Sequence, residues 1–241
     1  MDLVAVKHVA LKAAVVLGMG LLGVGCAPRS PERPGVSQRV AADARPVAAP
    51  AASLLRPEAP TPKPRPAFAQ VLDEEGLAWR PGWNEVIADA LDEVGQPLLD
   101  DGKVPAGEVS ALCPGYFQAT REEKKALWAL LFSAIARLES GFDPERNFFE
   151  PKPLRTLSAG LLQLSYGDES RHRDCPLNPA AANITDPAAN LRCGVAILRD
   201  QLQARGTLFP PRFYYWSVLT KKRAAIVGDF QRHRAQLPFC R

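Results

Sequence analysis

The sequence predicts a mainly helical domain over about residues 80–241. One long helix is indicated after the capping-box pair Thr120 and Glu123, because apolar residues then recur at helical spacing. No stretch alternates apolar and polar residues as a half-buried strand does. Only LSAGLLQLS, residues 157–165, could hold a short extended element.

Two further helices have clear sequence limits. Apolar residues recur at helical spacing over residues 86–94, and Gly95 then favours a stop. The last of these helices begins with Asp186 as its N-cap and Pro187 in its first turn. We expect this helix, which begins after Asp186, to end at Gly206, because glycine commonly follows the last residue of a helix.

Residues 1–26 have the layout of a signal peptide for export. Basic residues precede an apolar stretch over residues 13–24, which is shorter than the roughly 20 residues that a membrane span needs. The small residues before Cys26 are typical of a bacterial lipoprotein, in which this cysteine is lipidated and becomes the first residue. Leu22 stands one place further from Cys26 than is usual, and ordinary cleavage or an uncleaved anchor are the alternatives.

The predicted export indicates a periplasmic protein. Ala27, rather than an aspartate, follows the cysteine, which favours a lipid anchor in the outer membrane. Residues 27–68 are rich in proline, alanine and arginine, and we interpret them as a disordered tether, with a solvated low-complexity tail as the alternative. We interpret residues 69–111 as a helical N-terminal extension and residues 112–241 as the main domain.

Four cysteines remain after Cys26, an even set that suits two disulfides in an oxidising compartment. Three pairings are possible. We expect Cys175 to pair with Cys193, which closes a local loop. Cys113 would then pair with Cys240 and tie the start of the domain to its last residues.

Charge and histidine content bear on possible ligands. The net charge of +4 is compatible with an anionic polymer or membrane surface, and it is too weak to indicate nucleic acid. After the signal peptide, His172 and His233 are the only histidines, and their spacing from the cysteines matches no zinc motif. We predict no metal and no cofactor.

Four short pieces of sequence carry the candidate chemistry. ARLESGFDP places Glu139 at the end of an apolar helix, where the macrodipole disfavours negative charge. The other pieces are SAGLLQLSYGD, NITDPAANLRCGVAIL and RFYYWSVL. Each piece alone has an ordinary structural explanation, such as a frayed helix end, a turn or core packing.

Together the four pieces resemble the lytic transglycosylases of the soluble, goose-lysozyme-like type. In that family a catalytic glutamate ends a helix in a Glu-Ser-x-Phe-x-Pro context, a Gly-Leu-Met-Gln segment follows, and an Asn-x-x-Asp-Pro helix comes next. The resemblance covers about residues 112–220. The matching residues are Glu139, Ser140, Phe142, Pro144, Gly160, Leu161, Leu162, Gln163, Asn183, Asp186, Pro187, Asn190, Gly194 and Leu198.

The resemblance implies a lysozyme-like helical fold with at most a small extended element. It implies Glu139 as the catalytic residue and peptidoglycan glycan strands as the substrate. The residues implied to bind the substrate are Ser140, Ser158, Gly160, Gln163, Tyr214, Tyr215 and Trp216.

One departure from the family lies in the last piece. The family usually has Ala-Tyr-Asn there, whose tyrosine contacts the glutamate and whose asparagine helps hold the acetamido group of the sugar. Here Tyr215 matches the tyrosine, and Trp216 replaces the asparagine. We interpret the change as a different sugar contact, because aromatic rings stack on sugar faces. Loss of activity and core packing of the aromatic cluster are the alternatives.

The resemblance also implies a mechanism that needs a single carboxyl group. Burial and a helix C-terminus both disfavour an ionised carboxylate, which suits Glu139 as a proton donor. In the implied reaction Glu139 protonates the MurNAc–GlcNAc β-1,4 oxygen with help from the acetamido group. It then takes a proton from the 6-hydroxyl, which yields 1,6-anhydroMurNAc without water.

Two alternatives to this mechanism concern what the site does. A hydrolytic muramidase would need a second carboxylate, for which Asp168 is the first candidate. A catalytically weak lysozyme-like lipoprotein that binds peptidoglycan is the alternative outside the enzyme class. We expect a monomer that is held to a membrane through its lipid anchor and recruited to a cell-envelope complex.

Overall fold

The structure is a computed structural model, and it describes residues 79–151, 155–212 and 214–241. The predicted signal peptide over residues 1–26, with the lipidation site Cys26, lies outside the described residues. The predicted tether over residues 27–68 lies outside them as well, and so do residues 69–78. The signal peptide, the lipidation of Cys26 and the tether stay predictions.

The described part of the chain contains seven α-helices and one small antiparallel hairpin, so the predicted mainly helical fold is confirmed. None of these helices is long and apolar enough to cross a membrane. The helices are α1 (Pro81–Glu93), α2 (Gln96–Leu99), α3 (Ala106–Leu112), α4 (Arg121–Glu139), α5 (Pro187–Arg205), α6 (Ser217–Lys221) and α7 (Arg223–His233). The strands are β1 (Asn147–Phe149) and β2 (Leu157–Ala159).

Helix α4 begins with the capping box that the sequence predicts. The Thr120 hydroxyl accepts a hydrogen bond from the Glu123 backbone N–H at 3.3 Å, and the Thr120 N–H donates to the Glu123 carboxylate at 2.7 Å. Every residue from Lys124 to Ala136 is buried, so α4 is the central helix of the fold. Its last residue is Glu139.

Helix α5 also has the predicted limits. The Asp186 carboxylate accepts from the Ala189 N–H at 3.0 Å, and Pro187 is the first helical residue. Gly206 ends the helix in the left-handed conformation, with φ 64°.

The N-terminal extension packs onto the same core as the main domain. Helix α1 lies against both α4 and α5, and it buries Trp83, Ile87 and Leu91. Trp79, which precedes it, packs its ring edge-on against Phe142 at 6.0 Å. These helices therefore form one wall of the domain.

Both predicted disulfides are present. Cys113, directly after α3, is bonded to Cys240 near the end of the chain, 127 positions away. Cys175 is bonded to Cys193 on α5, 18 positions away. The first bond joins two distant parts of the sequence, and the second fixes the loop before α5 to that helix.

The two strands form a hairpin in which Asn147, Phe148 and Phe149 pair with Ala159, Ser158 and Leu157. Strand β2 lies within the short extended stretch that the sequence allows, and Ala159 also forms a bridge with Leu164. Strand β1 shows no apolar–polar alternation that would predict a strand, since it has only three residues and all of them are exposed.

Candidate active site

Glu139 occupies the end of the central helix and is almost buried, with 8% of its surface exposed. The chain reverses directly after it. Ser140 is the C-cap, and Gly141 and Phe142 both adopt the left-handed conformation, with φ 65° and 67°. Phe142 is itself buried against Trp79, so the core holds this turn in place.

The last turn of α4 is anchored from a second side. The Arg137 guanidinium donates to the Asp229 carboxylate from Nε at 3.1 Å and from Nη2 at 2.8 Å. Asp229 lies on α7 and is buried, and it also accepts from Arg232. This two-pronged ion pair fixes the helix end two residues before Glu139.

Arg146 connects the turn after Glu139 to the Gly160–Gln163 turn. Its side-chain Nε donates to the Ser140 carbonyl at 3.4 Å. Its own carbonyl accepts from the Gly160 N–H at 2.9 Å and from the Gln163 side-chain amide at 2.9 Å. Three of the predicted site residues are therefore joined through one arginine.

The Gly160–Gln163 turn requires unusual backbone angles. Gly160 has φ 79° and Gln163 has φ 50°, which places both in the left-handed region. The Gln163 amide also donates to the Gly160 carbonyl at 3.0 Å, which closes the turn. The Gln163 amide thus holds its own turn together and ties it to Arg146.

Asn190 of α5 holds the same turn from behind. Its side-chain oxygen accepts from the Leu162 N–H at 2.9 Å. Its amide nitrogen donates to the carbonyls of Ala159 and Ile184, at 3.2 and 2.9 Å. The asparagine is fully buried, so these bonds satisfy groups that water does not reach.

The hairpin contributes a carboxylate that the sequence interpretation missed. Glu150 follows β1 directly and is only 4% exposed. Ser158, a predicted substrate-binding residue, lies opposite Phe148 in the hairpin and donates from its hydroxyl to Glu150 at 3.4 Å. Residues 148, 150 and 158 therefore share one face of the hairpin. Burial of Glu150 depends on the fold, and no motif marks it.

Tyr215 and Asp168 form a buried hydrogen-bonded pair. The Tyr215 hydroxyl donates to the Asp168 carboxylate. Burial raises the pKa of Tyr215 well above its usual value, and the nearby charges of Asp168 and Glu139 raise it further. Tyr215 and Glu139 are therefore electrostatic neighbours, as the resemblance implies for the tyrosine of this site.

The structure places Trp216 and Tyr214 in the core. Trp216 is 1% exposed, its indole N–H donates to the Leu162 carbonyl at 2.9 Å, and its ring packs edge-on against Phe132. Tyr214 is also buried, and burial raises its pKa. Neither ring offers an accessible face to a sugar, so the core-packing interpretation fits both residues better than stacking. Ser140 is buried too, and its hydroxyl donates to the Ala136 carbonyl at 3.1 Å.

Within the described ranges, no group of three or more histidine, cysteine, aspartate or glutamate side chains is arranged to hold a metal ion. The ionisable groups of the candidate site are the Glu139 carboxyl group and the Tyr215–Asp168 pair, and the hairpin carries a further buried carboxyl group, Glu150, bonded to the Ser158 hydroxyl. Such a set can donate and accept protons and can hydrogen-bond a sugar chain.

Comparisons with known proteins agree with this geometry. The family described as Transglycosylase SLT domain matches residues 116–219. No curated protein matches the chain significantly in sequence.

Among solved structures, the wild-type form 2 of the protein Bd0314 DslA is 28% identical, with a TM-score of 0.53, and the match covers 66% of this chain and 91% of that chain. Two variants of DslA, each with one glutamate replaced by glutamine, also match. One is 27% identical with a TM-score of 0.54, covering 71% of this chain and 98% of that chain, and the other is 26% identical with a TM-score of 0.53. The two replaced glutamates stand eleven positions apart in that protein. The family match over residues 116–219 and the helical architecture together support a lysozyme-like domain of the transglycosylase SLT type in this part of the chain.

Proposed function

We propose that the protein is a peptidoglycan lytic transglycosylase that cleaves the MurNAc–GlcNAc β-1,4 bond, with Glu139 as its only acid and base. A function in peptidoglycan chemistry follows from the SLT-type domain. The observation that supports the finer proposal is the position of Glu139. It is buried as the last residue of α4, where the Arg137–Asp229 ion pair holds the helix end and Phe142 packs the following turn against Trp79.

In the proposed reaction, the Glu139 carboxyl group gives its proton to the glycosidic oxygen, and the C1–oxygen bond breaks. The acetamido oxygen of the MurNAc residue bonds to C1 in its place. The Glu139 carboxylate then takes the proton of the 6-hydroxyl, whose oxygen displaces the acetamido oxygen from C1. The product is 1,6-anhydroMurNAc, Glu139 regains its proton, and no water is consumed.

The role of Glu139 can be tested with purified peptidoglycan and the Glu139→Gln protein. Positioned acid–base catalysis contributes roughly 10²–10⁴-fold, so we expect release of soluble fragments to fall at least 100-fold. Glu145→Gln is the matched control, because Glu145 is exposed in the same turn and should retain activity. Normal activity in Glu139→Gln, with folding intact by circular dichroism, would overturn the proposal.

A hydrolytic muramidase is the second candidate, and Glu150 is the observation that favours it. Glu139 and Glu150 are eleven positions apart, which is the spacing of the two glutamates replaced in the DslA variants. A second buried carboxylate could deprotonate a water molecule. In that case Glu150→Gln should abolish cleavage as fully as Glu139→Gln, whereas the single-acid mechanism predicts a smaller loss.

A catalytically weak or inactive peptidoglycan-binding protein is the third candidate. The observation that favours it is Trp216, which stands where the family has a sugar-binding asparagine and which packs in the core. Sedimentation of the protein with insoluble peptidoglycan, without release of fragments, would be its signature.

We also propose that export and lipidation at Cys26 attach the protein to the outer membrane. The supporting observation is the sequence of the first 26 residues. The test is membrane fractionation of cells that make the unmodified protein or Cys26→Ser. We expect the unmodified protein with the outer membrane and the variant in the soluble periplasm or unprocessed. Equal fractionation of the two would contradict lipidation.

A further inference from the structure

Asp168 is a buried carboxylate for which the proposed reaction has no direct use. It ends the short turn Tyr166–Asp168 and is 1% exposed. Its Oδ2 accepts from the Ser165 N–H at 2.8 Å, from the Ser165 hydroxyl at 3.2 Å and from the Tyr215 hydroxyl. Its Oδ1 accepts from Arg171 at 3.3 Å. Both oxygens are thus engaged, which leaves Asp168 poorly placed to deprotonate a water molecule.

The hydrogen bond between Asp168 and Tyr215 determines whether the tyrosine hydroxyl can donate a hydrogen bond to any other group or only accept one. A phenol has one proton to donate, and here that proton goes to Asp168. The remaining lone pairs of the phenol oxygen can only accept. The charges of Asp168 and Glu139 raise the pKa of Tyr215 and that of Arg171 lowers it, and the ring of His172 lies edge-on to the tyrosine at 6.2 Å.

His172 is held in turn by α5. Its Nδ1 is hydrogen-bonded to the Asp200 carboxylate at 2.9 Å. The Trp216 ring also packs edge-on against the Tyr215 ring, with 5.0 Å between the ring centres. The tyrosine is therefore fixed at its hydroxyl by Asp168 and at its ring by two neighbours.

We propose that Asp168 is a positioning residue that retains the Tyr215 hydroxyl proton, so that Tyr215 can serve Glu139 only as a hydrogen-bond acceptor. An acceptor beside a carboxyl group favours the protonated form, which is the form that donates to the glycosidic oxygen. This inference rests on the proposed role of Glu139 as the acid. It assigns Asp168 an action through Tyr215 in place of the water-activating role that the sequence made possible.

The kinetic test uses Asp168→Asn, which preserves the shape of the side chain and removes its charge. Tyr215 can then donate to Glu139 and stabilise its ionised form. We expect the alkaline limb of the pH–kcat profile to move to lower pH by roughly half a unit or more. In a Tyr215→Phe background the same substitution should cause no further shift, because the group through which it acts is absent.

Asp186→Asn is the matched control, since asparagine caps a helix as well as aspartate does and Asp186 takes no part in the pair. Its pH profile should match that of the unmodified protein. An equal loss of activity at every pH in Asp168→Asn would indicate a merely structural role and overturn the inference. An undiminished shift in the Tyr215→Phe background would overturn it too, because Asp168 would then act on Glu139 directly.

A second measurement does not depend on activity. The Tyr215 hydroxyl proton, identified in the NMR spectrum by its loss in Tyr215→Phe, should exchange slowly with solvent in the unmodified protein and at least tenfold faster in Asp168→Asn. Unchanged exchange would overturn the inference. If the unmodified protein releases no fragments while this exchange difference is observed, the proposed function fails and the assignment of the Tyr215 proton to Asp168 stands.

Discussion

At the scale of single residues, the site depends on buried polar groups that brace its turns from behind. Asn190 is the clearest example, because one amide serves three backbone groups of the Ala159–Leu162 turn and of Ile184. Without it, the Leu162 N–H and the Ile184 carbonyl would lose this buried partner, and the Ala159 carbonyl would keep only its bond from the Leu164 N–H. The Gly160–Gln163 turn of the candidate site therefore rests on a fully buried side chain of α5.

Replacing Asn190 with alanine should lower the free energy of unfolding by roughly 3 kcal/mol, because the buried groups lose their hydrogen bonds. Denaturation in urea measures this change. Asn147→Ala is the control, since Asn147 is exposed and makes one weak bond to the Glu145 carbonyl, and its effect should stay within about 0.5 kcal/mol. Equal effects of the two substitutions would show that the Asn190 bonds do not support the fold.

Gly160 is the second residue on which the turn depends. A Cβ there would lie 2.6 Å from the Ile184 carbonyl oxygen and 2.3 Å from the Asn190 amide, and φ is positive. Gly206 also has positive φ, but a Cβ there would meet nothing within 4 Å. Gly206→Ala should therefore cost about 1 kcal/mol of stability, from the backbone alone. Gly160→Ala should cost at least about 2 kcal/mol more than Gly206→Ala, because its Cβ would overlap with its neighbours. Thermal unfolding of the two variants measures the difference. Equal losses of stability would show that this overlap is unimportant.

At the scale of elements, the end of α4 is held by its ion pair with α7. Asp229→Ala should lower the free energy of unfolding by about 3 kcal/mol, because it leaves the Arg137 guanidinium without its buried partner. Glu93→Ala is the control, since it removes an exposed pair with Arg192 and should cost about 1 kcal/mol or less. Equal losses in urea denaturation would mean that the α4–α7 pair acts like a surface pair.

The sequence predicts helices better than it predicts the hairpin, and the reason is local chemistry. The Thr120 capping box and the Asp186 cap are side-chain signals that need no tertiary partner, so the limits of α4 and α5 are readable. Strand β1 is three exposed residues long and has no pattern of its own. Its position depends on pairing with β2, which a local pattern does not encode.

The same distinction separates the site residues that sequence finds from those that it misses. Glu139 is marked by its motif, and its charge helps to raise the pKa of Tyr215. Glu150 carries no motif, and only the fold buries it next to Ser158. The residue type of Trp216 suggests a sugar contact, but its place in the core depends on Phe132 and Leu162.

At the scale of the whole molecule, two disulfides hold the domain together. In the chain-entropy account, stabilisation grows with loop length, from about 3 kcal/mol for 15 residues to about 4.7 for 100. Loss of the Cys113–Cys240 bond, which spans 127 positions, should therefore lower stability more than loss of the Cys175–Cys193 bond, which spans 18. Double serine variants compared by thermal unfolding measure the difference, and the reverse order would contradict it.

The measurement that tests the central claim most directly is the mass of the products that the full-length protein releases from purified peptidoglycan. The reaction is run in water enriched in a heavy isotope of oxygen. The single-acid mechanism predicts anhydro-ended fragments, lighter by one water than hydrolysed ones and free of the heavy oxygen, and it predicts none from Glu139→Gln. Hydrated fragments that carry the heavy oxygen, lost equally in Glu139→Gln and Glu150→Gln, would contradict the transglycosylase and establish a two-carboxylate muramidase.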